Sequence, residues 1–349
     1  MPPFPYHAYT VGYVSALPIE LAAAEELLDE KHPSPPHDDN DSNIYTLGRI
    51  HNHNVVIAAL PAGRLGHNPA AVVASRMQDR FRCIRFSLLV GVGGGVPCDA
   101  HDIRLGDVVV SQPHGGHGGV VQYDFGKSLP GRFQRTGFLS SPPDVLLHAL
   151  TKLQARQMAG SLNLSIHLDR FERLPEFSRT HAGDDLLFEA SYSHVDGPTC
   201  EACDGSFLVK RGARAAETVI HCGTIASGNQ VMRDAITRDA ISQELGGALC
   251  FEMEAAGMIA SCPCLVIRGI CDYADSHKNK AWQPYAAAAA AACAKEILPH
   301  SPKPTVFSTA PITLNTVFNV EDGWMESIED VLSRETWSEV VVAGDRGSG

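Results

Sequence analysis

The strongest constraint on this chain is an alternation of two kinds of segment. Short β-branched runs at 11–17 and 55–60 are each followed by Ala- or Leu-rich stretches of helical character at 21–30 and 69–81. That alternation implies an α/β layered fold with a largely buried sheet. Further strands are expected at 86–92, 107–111, 219–225 and 265–270. Asn68-Pro69 reads as a helix start, with the Asn side chain capping and Pro in the first helical position. Residues 285–298 are nearly all Ala, the best helix former, and Pro299 ends the run.

A length of 349 residues suggests about two units at roughly 150 residues each. With 28 basic and 40 acidic side chains the formal charge is −12. That balance argues against nucleic acid or an anionic membrane surface as main partner, since both demand a basic footprint. No apolar run reaches the roughly 18 residues of a bilayer span, and the start lacks a signal layout, so a cytoplasmic location is expected. Of ten cysteines, Cys83, Cys250, Cys264 and Cys271 are read inside apolar strand-like runs, where a reduced thiol acts as a small hydrophobe. Residues 31–43 read as a surface loop and 176–215 as an insertion without steady period. Beyond the unit at 9–298, residues 299–318 read as a linker and 319–349 as a tail holding a helix at 324–332 and then a strand.

Four segments carry chemistry. LLVGVGGGV (88–96) delivers a strand into Gly93 and Gly94, where bare backbone can approach a ligand, although a tight turn without ligand has the same sequence. CFEMEAAG (250–257) places Glu252 and Glu254 around Met253 at a strand-to-helix junction, suited to accept hydrogen bonds from vicinal hydroxyls or simply to complement a helix dipole. LVIRGICD (265–272) ends an apolar strand on Asp272, a general-acid candidate or a turn cap. Glu20, just past the first strand, is a second carboxylate of the kind needed to activate water.

In this order, VGYVSALPIE, GVGGGV, LGDVVVS, IASGNQVM, CFEMEAAG and VIRGICDYAD resemble the nucleoside phosphorylase/nucleosidase superfamily. The pattern is most similar to 5′-methylthioadenosine/S-adenosylhomocysteine nucleosidases and to fungal nucleoside phosphorylase-like domains. The resemblance implies a three-layer α/β fold, a central mixed sheet flanked by helices, no cofactor, a purine nucleoside as small-molecule partner, and a homo-oligomer, dimer or trimer. It also implies that Asp272 protonates purine N7, Glu254 bonds ribose hydroxyls, Met253 packs on the sugar and Glu20 activates the water. Val231 and Met232 match residues beside the purine, and Phe125 matches an aromatic supplied by a neighbouring subunit. Asn229 stands where nucleosidases usually carry Asp; an amide both donates and accepts, so 6-oxo purines become plausible beside 6-amino ones.

Phosphorylases of the superfamily hold phosphate with an Arg at the position of Leu89, which leaves Arg64 as the nearby cation for a phosphate. Hydrolysis of purine ribonucleosides to base and ribose, as in purine salvage, is therefore the expected activity. Phosphorolysis is one alternative; an immune-type effector or sensor domain cleaving or binding ATP is another. Cys200 and Cys203 form a CxxC, with His194, His221 and Cys222 near in sequence, but no second paired half follows and no metal is assigned. His114 to His117 reads as a glycine loop rather than a metal site. The tail VVVAGDRGSG resembles the start of a P-loop module without its Lys and Ser/Thr, so no ATP hydrolysis is expected there.

Overall fold

The computed structural model describes residues 4–301 apart from 37, 99 and 215. The tail readings, and the linker beyond 301, lie outside the described residues.

The strands are β1 (Val11–Ser15), β2 (Glu30–His32), β3 (Tyr45–Ile50), β4 (His53–Ala59), β5 (Phe86–Gly95) and β6 (Val108–Ser111). After them come β7 (Val120–Gln122), β8 (Gly126–Leu129), β9 (Arg132–Arg135), β10 (Ile220–Ser227), β11 (Ala248–Glu252) and β12 (Cys264–Asp272). The helices are α1 (Pro18–Glu26), α2 (His67–Arg80), α3 (Asp144–Met158), α4 (Leu164–Leu168), α5 (Arg179–Ala182), α6 (Ala235–Glu244), α7 (Ala255–Ser261) and α8 (Gln283–Ile297).

One mixed sheet of ten strands runs β11-β10-β6-β12-β5-β1-β4-β3-β2, with β7 beside β10. The centre is parallel: β1 lies between β4 and β5, and β5 pairs with β12. Antiparallel pairings enter at β12–β6 and β3–β4. β11 also pairs with the far end of β5, through Cys250↔Gly95 and Phe251↔Gly94, so the sheet curls back on itself. This closure gathers the carboxyl ends of β5, β11 and β12.

Alternate side chains of the central strands enter two cores. Tyr13, Ile57, Leu88 and Ile267 pack with the alanines of α8 and with Leu27. Val14, Val56, Leu89 and Val266 face Val73 and Met77 of α2 and Met258 of α7. Both faces are covered, which is why these strands read as unbroken apolar runs. Each buried Leu or Ile contributes roughly 1.5–3 kcal/mol, and the layered α/β expectation is borne out.

Several local readings are corrected. Helix α1 begins at Pro18 and ends at Glu26; Glu30 instead opens β2, so the stretch read as loop from 31 starts as a strand. Pro18 presets the first helical φ, and Glu20, at the third helical position, accepts the Leu17 N–H at 2.9 Å. Asn68 is not a cap, because α2 starts one residue earlier. The N–H of His67, the first helical residue, is taken at 3.0 Å by Asn229, 162 residues away. The glycine run stays within β5 rather than forming a turn, and Cys83 lies exposed in the turn after α2. All ten cysteines are free. Residues 176–215 hold the end of a 3-10 turn at Pro175–Phe177, α5, a second 3-10 turn at Gly205–Phe207 and a bridge between Phe188 and Leu208. No helix among the described residues is long and apolar enough to cross a membrane.

Candidate active site

A cavity of about 310 Å³ opens where the carboxyl ends of β5, β11 and β12 meet the start of α1. Its lining includes Glu20, Gly93, Gly94, Met253, Glu254 and Lys278. Crevices at the carboxyl ends of sheet strands are the usual ligand sites of open α/β folds.

Glu20 forms one wall. Its Oε2 accepts the N–H groups of Ala16 (2.6 Å) and Leu17 (2.9 Å), and its Oε1 accepts that of Val92 (2.8 Å). Burial pushes this carboxyl above its ordinary range, against the pull of Arg268 and the three amides. A Cβ at Gly91 would stand 2.5 Å from Glu20 Oε1 and 2.6 Å from Arg268 Nη1, so the approach of these two groups to β5 requires glycine.

Arg268 lies beneath the cavity floor with its side chain 1% exposed. Its Nη2 pairs with Glu252 and, at 3.2 Å, with Glu254, while Nη1 donates to the Val92 carbonyl at 3.3 Å. Glu252 is further committed to the start of α7, accepting Glu254 N–H at 3.1 Å and Ala255 N–H at 2.9 Å. Glu254 is the less committed carboxylate: Oε1 accepts only a long bond from Gly66 N–H, 3.3 Å. Burial raises its pKa to about 7; Arg268 opposes the shift, and Glu252 and Glu20 reinforce it.

Asp272 closes β12 on the opposite side. Its Oδ1 accepts Ala274 N–H at 2.9 Å, and its Oδ2 lies 2.8 Å from Lys278 Nζ and 3.1 Å from the Cys271 thiol. Burial disfavours the Lys278 ammonium, but Asp272 outweighs it and holds the lysine above its ordinary pKa. A Cβ at Gly94 would sit 2.8 Å from Asp272 Oδ1, so glycine here lets the carboxylate approach from behind the cavity wall. Asp272 itself lines the adjoining cavity of about 440 Å³, which shares Cys271 and Lys280 with this one.

The remaining sequence candidates divide. Val231, 53% exposed, and buried Met232 line the same cavity, together with Phe251. Asn229 does not: its side chain grips His67, accepting from the backbone N–H and meeting Nδ1 at 2.9 Å. Arg64 is exposed in a turn closed by its own N–H to the Pro61 carbonyl, 2.9 Å, and is outside the lining. Phe125, 57% exposed, precedes the β8–β9 hairpin and is likewise outside it.

Arg268 and Lys278 were not singled out from the sequence. Arg268 carried a readable signal, a lone charge within an apolar run, because a buried cation needs partners. A larger concavity of about 880 Å³ lies by α3 and α4, but its acidic groups Asp169, Glu172 and Glu217 are all exposed. Buried, convergent carboxylates mark the smaller cavity as the site.

The phosphorylase superfamily pattern matches residues 10–299. The chain belongs to this superfamily. A nucleotide-binding leucine-rich repeat (NLR)-like protein of Hyaloscypha variabilis is 43% identical over 94% of this chain. ATP nucleosidase Cap17 of Escherichia coli is 24% identical over 84% of it. The alignments span 33% and 52% of those relatives, so the chain corresponds to about a third of the first and half of the second. The 5′-methylthioadenosine/S-adenosylhomocysteine nucleosidase of Colwellia psychrerythraea, solved with adenine, superposes with a TM-score of 0.54 at 18% identity, covering 85% of this chain and 97% of that one. The superfamily fold, a mixed sheet flanked by helices, is thus the fold of this chain.

Proposed function

We propose that this chain hydrolyses the N-glycosidic bond of purine ribonucleosides to free base and ribose. The observation that carries the reading is that buried Glu20 and Glu254 line one cavity, with Asp272 directly behind Gly94 and Lys278 of the same lining. Cleavage builds positive charge on the sugar and negative charge on the base, so a site needs carboxylates at one end and a proton donor at the other. Glu20, buried and raised above its ordinary pKa, is suited to take a proton from the attacking water. Glu254 bonds the ribose hydroxyls, with Met253 packed on the sugar. Asp272, beside Lys278, hands a proton to purine N7, and Val231, Met232 and Phe251 flank the base.

Hydrolysis is favoured over phosphorolysis by charge. Arg268 is already shared between Glu252 and Glu254, and Lys278 is paired with Asp272. A phosphate dianion at the floor would meet Glu20 and Glu254 with no uncommitted guanidinium.

A second reading takes a nucleotide such as ATP as substrate. Lys278 and Lys280 both line the cavity, and the Escherichia coli relative is named an ATP nucleosidase. Purine release from adenosine, inosine, guanosine, 5′-methylthioadenosine and ATP, each with and without phosphate, separates these readings. Ribose formed without phosphate supports the hydrolase, ribose 1-phosphate reverses it in favour of a phosphorylase, and a strong preference for ATP transfers the same chemistry to a nucleotide. The reading includes a homo-oligomer, dimer or trimer, in which exposed Phe125 reaches a neighbouring copy's cavity; a monomer by light scattering removes that role from Phe125.

A further inference from the structure

The segment 176–215 plays no part in the chemistry above, yet it gathers a ligand set. Among the described residues one group of three His, Cys, Asp or Glu side chains has metal-binding proximity: a ring nitrogen of His194 and the Sγ atoms of Cys200 and Cys203 all lie within 4.8 Å of one another. His221 and Cys222, near them in sequence, are carried away on β10, where His221 meets Asp107 at 3.1 Å. The backbone is shaped around the cluster: Cys203 N–H closes on the Cys200 carbonyl at 3.1 Å, and Asp204 N–H donates to the Tyr192 hydroxyl at 2.7 Å.

A fourth group stands beside the three. His277 is buried, its ring edge-on to His194 with centroids 5.6 Å apart, and neither of its nitrogens makes a hydrogen bond. Its Nδ1 faces the Asp275 carboxylate at 3.6 Å, and Phe188 stacks on it at 4.1 Å. A buried imidazole with one nitrogen facing a carboxylate and the other unpaired leaves that second nitrogen open to a metal, with the carboxylate placed to orient the ring. Two imidazoles on one tetrahedral zinc, with Zn–N near 2.1 Å, have ring centres roughly 5 Å apart. His194 has its own outer partner, since Nε2 meets the Thr199 carbonyl at 3.0 Å.

We propose that His194, Cys200, Cys203 and His277 form a structural zinc site. Two thiolates and two imidazoles suit Zn²⁺ over the oxygen-preferring Mg²⁺ and Ca²⁺, and both cysteines release their thiol protons on binding. The site ties the 176–215 segment to the stretch after β12, an attachment already begun by His194 N–H donating to Ser276 Oγ at 2.9 Å. That stretch carries Lys278, the partner of Asp272, so the metal fixes the lysine without touching substrate.

The test is elemental analysis of the full chain purified without a metal-affinity column, followed by Co²⁺ titration of the chelator-treated protein. About one zinc per chain is expected, with thiolate-to-cobalt charge-transfer and tetrahedral d–d bands saturating at one equivalent. The double variant Cys200→Ser/Cys203→Ser loses the metal and the bands, whereas Cys83→Ser, on an exposed turn, keeps both. His277→Ala keeps the charge-transfer bands but binds metal more weakly; wild-type affinity in that variant removes His277 from the set. Should the double variant fail to fold, cobalt spectra of the wild-type chain alone decide. No zinc and no cobalt bands, or a Cys200–Cys203 disulfide in protein kept under reductant, overturns the site.

Discussion

The two ends of the cavity handle charge differently. At the floor, three carboxylates, Glu20, Glu252 and Glu254, surround a single guanidinium, Arg268. At the far end one carboxylate, Asp272, faces one ammonium, Lys278, at 2.8 Å. The floor therefore holds an excess of negative charge with little water to screen it, which helps hold Glu254 near 7. The far end is balanced one for one. An uncompensated negative floor stabilises a cation forming on a sugar, while a balanced pair passes a proton to a leaving base without accumulating charge.

The largest effect belongs to the group on which the floor depends. Arg268→Met removes the cation shared by the buried carboxylates and is expected to destabilise the fold by about 3–5 kcal/mol, measured by denaturant unfolding. Wild-type stability in this variant would break the picture of a floor neutralised by one side chain. Next come the two ends themselves: Glu20→Gln and Asp272→Asn each lower kcat by about 10²–10⁴ on a purine nucleoside, with ligand affinity nearly unchanged. A p-nitrophenyl riboside, whose leaving group needs no proton, sharpens the contrast. On that substrate Asp272→Asn recovers most of its activity and Glu20→Gln recovers none. Equal recovery by both variants would erase the division of labour between the ends.

How much of this was legible in the sequence differs between the two ends for physical reasons. Strand β12 and its terminal Asp272 were readable because an apolar run ending in a carboxylate is a local pattern, as was the Ala-rich α8. Lys278 was not, because its pairing with Asp272 spans a loop with no period to betray it. Arg268 was visible as a lone charge in an apolar run, but its three partners come from β5's neighbours α1 and β11 and from the start of α7. The start of α2 was misplaced for a related reason: Asn68 is the better local cap, yet Asn229 supplies the acceptor through tertiary contact. β3, α3 and the β8–β9 hairpin were missed as well. In the short strands β8 and β9 nearly every residue is exposed, so no hydrophobic alternation marked them.

The smallest effect is a pH dependence of stability set by Glu254. Its pKa rises from an ordinary 4.5 to about 7 on folding, a shift worth about 3 kcal/mol at most. Between those values the folded chain holds a proton that the unfolded chain has released, so stability falls as pH rises. The contribution is intact below the unfolded value, is lost as pH climbs through the folded one, and is flat above it. Other groups slope both ways in the same acid range: Glu20 is also raised, whereas Asp107 and Glu296 are lowered by their cationic partners against the cost of burial and gain stability with rising pH. The informative quantity is therefore the difference in Tm between wild type and Glu254→Gln, followed from about pH 5 to about pH 8. Gln cannot ionise, so the variant should gain on wild type by a few degrees as pH rises between the unfolded and folded pKa values, the gain levelling off above the folded value of about 7. A difference independent of pH would mean that Glu254 stays ionised across the range, and that Arg268 compensates the floor more fully than three carboxylates sharing one guanidinium allow.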